Sequence, residues 1–363
     1  MSDTMIKVML LGPSVGAASG VSTHLNQIFQ STLAQDHVLL HFQVGSEGRA
    51  ESLPHKLLRF FLSPLQFAAA LWRHRPDIVH LNTSMVAKSY WRDLVYLLVA
   101  KSMRTKVLYQ VHGGALPQDF FAGHALRTGL LRRVLRLADS VVLLAQQELH
   151  AYRAFEPALV LSVIPNSIAL CADPVQKINR GDGPLQLLYL GRLVLEKGVA
   201  ELVDALALVR AQGVMALLVI AGGGPDEQRL RQRVAELGLQ DAVQFAGPVF
   251  GEAKQRLWEQ ADLFGFPTYR EGLPYVLLES MAARTPALAC PVGGIPDVMQ
   301  DGVHGFFVPP RDPQALAALI LRLDRDRPLL RSMAQAGRER VERHYTVERL
   351  AHDFRAIYAG LLK

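Results

Sequence analysis

The chain has 363 residues, of which half are hydrophobic and a fifth are charged, and this predicts a folded protein of about two domains. Only two cysteines occur, Cys171 and Cys290, and neither has a neighbour at metal-ligand spacing, which argues against a disulfide scaffold or zinc finger. The N-terminus lacks a signal-peptide pattern, and no uncharged apolar stretch approaches the roughly 18 residues of a membrane span. We therefore expect a soluble, cytoplasmic protein.

Basic residues are concentrated in the first half of the chain. Residues 1–181 carry 18 Lys and Arg against 11 Asp and Glu, and residues 53–136 carry 13 against 3. Such a surface implies an anionic partner, and no helix-turn-helix, RRM or OB signature supports nucleic acid. Three segments (56–75, 91–106 and 130–136) place the cations beside bulky apolar residues, as in helices that lie in lipid headgroups. Ordinary amphipathic helices, packed on their apolar side, are the alternative.

Short apolar runs alternate with stretches of helical length along the chain. The predicted strands are Lys7–Leu11, Val38–Val44, Ile78–Leu81, Val107–Val111, Ser140–Leu144, Leu161–Ile164, then Leu185–Leu190, Ala216–Ala221, Val243–Phe245, Asp262–Phe266 and Ala287–Ala289. Residues 176–184, between the two sets, read as a linker. Apolar strands separated by helices indicate parallel sheets covered on both faces. The sequence thus predicts an α/β fold of two Rossmann-like, doubly wound domains facing each other across a cleft, with ligands at the carboxyl ends of the strands.

The strongest chemical signal follows the predicted strand Asp262–Phe266. Glu271 and Glu279 are eight positions apart, the first directly before Gly272 and the second about one turn into the next predicted helix. Gly272 permits close backbone approach, and the helix would point unpaired N–H groups into the cleft. Glu279 could accept two vicinal hydroxyls of a sugar or ribose. The alternative is that both glutamates only enrich a first helical turn.

A second cluster opens the second domain. A predicted strand ends at Gly191, and Arg192 and Lys197 follow in the turn before the next helix. Two cations at the carboxyl end of a strand suit a diphosphate, although two surface cations in a loop are the alternative. The glycine run that contains Gly223 resembles a phosphate-cradling loop, but its spacing fits neither a dinucleotide fingerprint nor a P-loop.

In this order the motifs resemble the retaining GT-B glycosyltransferases of family 4, over nearly the whole chain. Glu271 and Glu279 match the E-x7-E motif of that family, and the run from Gly191 to Gly198 matches its donor-phosphate motif. The further matches are Val163–Asn166, Gly293–Asp297 and Asp301–Asp312. The resemblance implies an N-terminal acceptor-side domain (1–178), a C-terminal domain that binds a nucleotide sugar (179–345) and a last helix (346–363) that packs back on the first domain.

The resemblance also implies roles for individual residues. Arg192 and Lys197 would neutralise the leaving diphosphate, and Glu279 would bind the ribose hydroxyls. Glu271, with the backbone N–H groups around Gly272 and Leu273, would hold the transferred sugar. His112 matches the family's histidine near the reacting sugar. The alternative is a histidine at a strand end that forms its hydrogen bonds within the fold and has no role in the site. The remaining expected donor-binding residues are Gly16, Gly20, Asn166 and Gly223. Ser19-Gly20 and Asn166-Ser167 depart from the family's usual Gly-Gly and Asn-Gly.

The expected chemistry needs no metal or other cofactor. No Asp-x-Asp pair stands at a strand end, and Asp324-Arg-Asp326 lies in a charged helical stretch; Arg192 and Lys197 would replace the divalent ion. We expect hexose transfer to a lipid-linked or nascent glycan in bacterial-type polysaccharide or glycolipid synthesis, with peripheral contact to an anionic membrane and no nucleic acid. Two alternative functions remain. One is a sucrose- or trehalose-type synthase that uses a soluble acceptor, and the other is a non-catalytic nucleotide-sugar-binding subunit of a polysaccharide assembly complex.

Overall fold

The computed structural model describes residues 5–17, 19–48, 52–170 and 183–363. The chain divides into two compact units: unit 1 comprises Met1–Ala169 with Val347–Lys363, and unit 2 comprises Leu170–Thr346. The division falls earlier than the predicted boundary at residue 178. Residues 171–182, with Cys171 and most of the predicted linker, lie outside the described residues.

Unit 1 contains a six-stranded parallel sheet with the strand order β2-β1-β3-β4-β5-β6. Its strands are β1 (Ile6–Gly12), β2 (His37–Gln43), β3 (Ile78–Met85), β4 (Lys106–Gly114), β5 (Ser140–Leu143) and β6 (Leu161–Val163). Its helices are α1 (Gly20–Gln30), α2 (Leu33–Asp36), α3 (Leu53–His74), α4 (Ala87–Ser102), α5 (Pro117–Phe120), α6 (Ala125–Leu137), α7 (Gln146–Phe155) and, from the end of the chain, α15 (Val347–Leu361).

The two faces of this sheet bury separate apolar cores, because successive residues of a strand point to opposite faces. On one face Met9 packs with residues of α3, α4, α6 and α7, among them Phe67 and Tyr96. On the other face Val8 packs with residues of α1 and with Phe354 of α15. The last helix therefore completes the core of unit 1, although all of unit 2, Leu170–Thr346, precedes it in the chain.

Unit 2 contains a second six-stranded parallel sheet, with the order β12-β11-β10-β7-β8-β9. Its strands are β7 (Leu185–Leu190), β8 (Ala216–Ala221), β9 (Val243–Gly247), β10 (Leu263–Phe266), β11 (Ala287–Ala289) and β12 (Gly305–Phe307). Its helices are α8 (Val199–Ala211), α9 (Glu227–Glu236), α10 (Gly251–Gln260), α11 (Tyr275–Ala282), α12 (Ile295–Val298), α13 (Pro313–Arg325) and α14 (Arg327–His344), and a 3-10 turn spans Leu195–Lys197.

The predicted α/β class with two doubly wound parallel sheets is confirmed, and every predicted strand is present. Strand β12 was not predicted; it has only three residues, begins with a glycine and lies inside the motif run 301–312. The direction of strand order reverses between β1 and β3 in unit 1 and between β7 and β10 in unit 2. Ligands of such sheets bind beyond the carboxyl ends of the strands at these switch points.

Candidate functional site

The loops that leave β7, β8, β10 and β11 form one connected backbone assembly at the switch point of unit 2. Three backbone hydrogen bonds join them: Leu193 N–H donates to Gly223 O (3.0 Å), Tyr269 N–H to Glu196 O (2.8 Å) and Gly294 N–H to Gly272 O (2.6 Å). Because each loop is held by the next, side chains from distant parts of the sequence have fixed positions relative to one another.

Glycines permit this close packing of the loops. Gly198 has a φ of 68°, and a methyl group on it would overlap the carbonyl oxygen of Pro267. Gly222 has a φ of 137°, and a methyl group there would overlap the carbonyl oxygen of Gly191. Gly223 differs, because a methyl group would meet only Pro248 at an ordinary 3.5 Å. Within this glycine run the packing thus requires Gly222 rather than the predicted Gly223.

Lys197 and Glu271 meet at this switch point, although 74 residues separate them in the chain. The Lys197 ammonium donates to Glu271 Oε1, and both side chains are largely buried, with 14% and 13% of their surface exposed. Thr268 Oγ1 lies 3.3 Å from the same carboxylate oxygen. The Lys197 ammonium also lies 5.6 Å above the centre of the Phe266 ring. A cation and a carboxylate are therefore oriented together beside the carboxyl ends of β7 and β10.

Arg192 lies in the same loop as Lys197, but its side chain is exposed. Its carbonyl oxygen accepts a hydrogen bond of 2.7 Å from the Tyr189 hydroxyl. Burial raises the pKa of Tyr189, the charge of Glu271 adds to this shift, and the charge of Arg192 opposes it. Both charged side chains are thus close enough to influence one hydroxyl, and Tyr189 fixes the backbone of the loop between them.

Glu279 has a cationic partner of its own. It lies in the second turn of α11, and its Oε1 accepts a hydrogen bond of 2.6 Å from Lys254 of α10. Between the two glutamates, Gly272 uses its carbonyl oxygen in the loop assembly and Leu273 is buried. The structure therefore brings Lys197 together with Glu271, and pairs Glu279 with a lysine that the sequence analysis did not select.

His112 lies near the carboxyl end of β4 in unit 1. Its Nε2 lies 2.8 Å from Asn82 Oδ1, and Asn82 Nδ2 donates to the Leu11 carbonyl oxygen at 3.1 Å. Since the Leu11 carbonyl can only accept, it fixes the orientation of the Asn82 amide, and Asn82 in turn fixes the proton of His112 on Nε2. Burial, with the nearby His24 and His80, lowers the pKa of His112 well below its usual value.

His112 belongs to a cluster of imidazoles inside unit 1. The rings of His24 and His112 are 4.7 Å apart, and Nε2 atoms of His24 and His80 lie 2.9 and 2.8 Å from Gln110 Oε1. His80 Nδ1 pairs with the Tyr358 hydroxyl of α15 at 2.8 Å. Burial lowers the pKa of His24 to about 4 and that of His80 to about 3. The cluster is therefore uncharged at neutral pH.

The other predicted residues of unit 1 lie apart in the sequence. Gly16 lies in the loop after β1, where a methyl group would meet only Ser14 Oγ at 3.8 Å. Gly20 is the first residue of α1, whose N-cap Ser19 accepts from the Ser22 N–H at 3.3 Å. Asn166 is buried beyond β6. The expected site residues are thus divided, with Gly16, Gly20, His112 and Asn166 in unit 1 and Arg192, Lys197, Gly223, Glu271, Gly272, Leu273 and Glu279 in unit 2.

The described residues contain neither a candidate metal site nor a candidate membrane span. Within those residues, no group of three or more His, Cys, Asp or Glu side chains could hold a metal ion. No helix among them is long and apolar enough to cross a membrane. Asp324 pairs with Arg327, and Asp326 caps α14 by accepting from the Leu329 N–H at 2.9 Å, so both carboxylates serve the local structure.

Comparison with known proteins decides the family. The model of "Glycosyl transferases group 1" matches residues 174–340, and that of "Glycosyl transferase 4-like domain" matches residues 30–167. The chain is also 30% identical over 266 residues, which cover 68% of each protein, to the GDP-mannose-dependent alpha-(1-6)-phosphatidylinositol monomannoside mannosyltransferase of Mycobacterium tuberculosis. The chain belongs to the group 1 glycosyltransferases.

Two further similarities place this glycosyltransferase among its relatives. It is 32% identical over 169 residues to the putative colanic acid biosynthesis glycosyltransferase WcaL of Salmonella typhimurium, a match that covers 45% of this chain and only 42% of WcaL. Its fold matches Anabaena HepE, solved in complex with UDP, with a TM-score of 0.78, 20% identity and coverage of 98% and 100% of the two chains. The expected GT-B fold is thereby confirmed.

Proposed function

We propose that this glycosyltransferase moves a hexose, with retention of its anomeric configuration, from a nucleotide diphosphate sugar to a lipid-linked or nascent glycan acceptor. One observation carries the proposal: Arg192, Lys197 and Glu271 occupy the carboxyl ends of β7 and β10, where the strand order reverses. Ligands bind at such points, cations suit a diphosphate, and a carboxylate suits sugar hydroxyls. The names of WcaL and of HepE with UDP support this substrate class.

In this proposal the diphosphate binds between Arg192 and Lys197. The exposed Arg192 guanidinium offers a bidentate contact, and Lys197 contributes a point charge. The attraction between this charge and the leaving phosphate increases as negative charge develops on the phosphate. Glu271, beside Lys197, holds hydroxyls of the transferred sugar, and Glu279 holds those of the ribose. Because the two cations supply the positive charge, we propose that transfer proceeds without a divalent metal.

His112 would act as a neutral group in this reaction. Its depressed pKa keeps the imidazole uncharged at neutral pH, and Asn82 orients it through Nε2. A neutral, oriented ring suits a hydrogen bond to a sugar hydroxyl better than charge stabilisation of a phosphate. We therefore assign the electrostatic role to the lysine and arginine of unit 2, and a positioning role to His112.

Donor hydrolysis and transfer, measured with single variants, test the proposal. Arg192→Ala should lower kcat/KM by about 10- to 100-fold, because a hydrogen bond to a charged group contributes about 1.5–3 kcal/mol. Glu271→Ala should abolish transfer while the protein stays folded. Arg256→Ala is the matched control, since Arg256 is an exposed cation of α10 that pairs only loosely, at 3.6 Å, with Glu252. Full activity of Arg192→Ala, or equal losses in both arginine variants, would refute the phosphate role.

The donor and acceptor classes need separate measurements. A thermal-shift series with UDP, GDP, ADP and TDP should single out one nucleotide, because a bound ligand raises the melting temperature by mass action. Transfer to a lipid-linked sugar but not to a free sugar supports the proposed acceptor, and the reverse supports a sucrose- or trehalose-type synthase. Activity that persists in EDTA supports the metal-free proposal, and activity restored only by added Mg²⁺ or Mn²⁺ refutes it.

A further inference from the structure

Helix α3 has an apolar outer surface as well as an apolar inner one. Ser63, Phe67 and Leu71, spaced four residues apart, are buried, and Phe67 and Leu71 belong to the apolar core of unit 1. The outer stripe consists of Leu58, Phe61, Leu62, Leu65 and Trp72, whose surfaces are 57%, 70%, 40%, 68% and 72% exposed. Residues at this spacing share one face of a helix with 3.6 residues per turn, and that face lies opposite Phe67.

The outer stripe is long enough to be a docking surface. From Leu58 to Trp72 it extends about 21 Å along the helix, at about 1.5 Å per residue. Single exposed apolar residues are ordinary on proteins, but a continuous row of large ones marks an interaction surface. The row includes a tryptophan, which favours the boundary between water and lipid because its ring is apolar and its N–H is polar.

The neighbouring helix extends the same surface. Helix α4 packs beside α3 through Tyr96, whose hydroxyl lies 2.7 Å from Ser63 Oγ and whose ring lies 5.4 Å from Phe67. The outer side of α4 exposes Trp91, Val95 and Leu98, again at the spacing of one helical face. The segment 130–136 of α6 differs, because Leu131, Val134 and Leu135 are buried, and Leu130, 37% exposed, is the one large apolar residue that accompanies its exposed arginines.

The charges around the stripe are positive. Helix α3 contains no acidic residue, and Arg73 is exposed on it beside the stripe. Beyond its last turn lies a pocket of about 400 Å³, lined by Trp72 together with three cations, Arg75, Arg104 and Lys106. Asp77 also lines the pocket, but its carboxylate accepts the backbone N–H of Lys7 at 2.8 Å. Lys106 lies 3.6 Å from Asp139, which partly neutralises its charge. The main positive charges of the pocket are therefore those of the two arginines.

We propose that the outer faces of α3 and α4 dock on an anionic lipid bilayer. The apolar stripe enters the headgroup layer, and Arg73 and the pocket arginines contact lipid phosphates. A second copy of this chain fits the surface less well, because a two-fold contact would bring the cations of one α3 near the same cations of its partner. The docking is independent of the transfer chemistry, since none of these residues belongs to the proposed donor site.

Vesicle sedimentation with the full chain tests the docking surface. Vesicles of phosphatidylglycerol and phosphatidylcholine should sediment the protein at low salt and release it at high salt, whereas phosphatidylcholine alone should not. Leu65→Ser with Trp72→Ser should weaken binding about tenfold or more, since burying one such side chain contributes at least about 1.5 kcal/mol. Arg73→Gln should weaken it about fivefold. The matched controls in unit 2, Phe250→Ser and Arg256→Gln, should bind like the wild type.

Trp72 itself provides a second measurement. In a chain with Trp91→Phe and Trp258→Phe, anionic vesicles should shift the Trp72 emission to shorter wavelength, and neutral vesicles should leave it unchanged. The proposal is overturned by equal binding to both kinds of vesicle, by unchanged binding of the Leu65→Ser, Trp72→Ser variant, or by a dimer in solution that this variant dissociates. Donor hydrolysis without vesicles should stay at the wild-type rate in the stripe variants, so failure of the docking is distinguishable from failure of the transferase.

Discussion

Acid should destabilise unit 1, because folding buries imidazoles in the uncharged form. Burial lowers the pKa of His24 from 6.5 to about 4, with the Gln110 hydrogen bond opposing the shift, and lowers that of His80 to about 3. Unfolding returns both pKa values to about 6.5, so at pH 5 the unfolded chain binds more protons than the folded one. The contribution of the two buried histidines to the free energy of unfolding is therefore fully present above pH 6.5. It decreases as the pH falls toward the pKa values of the folded state.

The size of the effect follows from these values. Between pH 6.5 and pH 5, each buried imidazole lowers the free energy of unfolding by about 1.4 kcal/mol per pH unit, or by about 2 kcal/mol in all. His24 and His80 together therefore remove about 4 kcal/mol from a typical domain stability of about 5–15 kcal/mol. Hydrogen exchange is a suitable assay because peptides from β1, β3 and β4 report on unit 1 alone. After correction for the intrinsic exchange rate at each pH, the protection factors of these peptides should fall by roughly 30-fold for each histidine between pH 6.5 and pH 5.

Variants separate this explanation from a general effect of acid. His24→Gln lowers stability at pH 7.5 but should reduce its pH dependence by about 2 kcal/mol, because one proton-binding site of the unfolded chain is gone. His352→Gln is the control, since this side chain of α15 is 74% exposed and does not belong to the buried cluster. Equal protection of unit 1 at pH 7.5 and pH 5, or an unaltered pH dependence in a folded His24→Gln, would refute the reasoning.

Three further variants test the support of the site and the fold. Lys254→Met removes the cation 2.6 Å from Glu279, and should raise the donor KM about three- to tenfold while kcat changes less, as measured by steady-state kinetics. Gly222→Ala puts a methyl group against the Gly191 carbonyl at a φ of 137°; we expect a lower Tm and weaker donor binding, at a cost of about 1–3 kcal/mol or more. Phe354→Ala empties a fully buried position of α15 and should cost about 3–5 kcal/mol in urea unfolding.

Each of these variants has a control or a contradicting result. Lys88→Met, at an exposed position of α4, should leave the donor KM unchanged. Gly360→Ala, with nothing within 4 Å of its added methyl group, should leave the Tm within the ordinary range of surface substitutions. A Phe354→Ala protein as stable as the wild type would show that α15 is not part of the core of unit 1.

The alternation of strands and helices was predictable because both sheets are parallel and buried on both faces. Such strands are mostly apolar runs, as in Ala216–Ala221, and these runs differ clearly from the amphipathic helices between them. Strand β12 lacked that signal, since it has three residues and begins with Gly305. The sequence did not predict strand order, because pairing between β7 and β10 joins segments more than 70 residues apart.

Periodicity also could not tell which face of a basic helix is packed. Both the segment around α3 and that of α6 combine cations with large apolar residues. In α6 the apolar residues Leu131 and Leu135 face the core, whereas in α3 Leu65 and Trp72 face outward. The difference depends on which residues the sheet covers, and local sequence does not contain that information. For the same reason the lysine partner of Glu279 was missed: Lys254 comes from α10, at no characteristic spacing from the motif.

The pairing of charges constrains how a donor could enter the proposed site. Lys197 is joined to Glu271 and Lys254 to Glu279, whereas Arg192 forms no ion pair with any acidic side chain among residues 183–363. Under the proposed function, Arg192 is therefore the cation that can attract a diphosphate at no loss of an existing pair. Lys197 must then share its ammonium between phosphate and Glu271, and this releases the carboxylate to accept sugar hydroxyls. A donor that carries both a diphosphate and a sugar gives Lys197 a phosphate partner and gives Glu271 hydroxyl partners in place of their mutual contact. Free phosphate replaces the partner of Lys197 only.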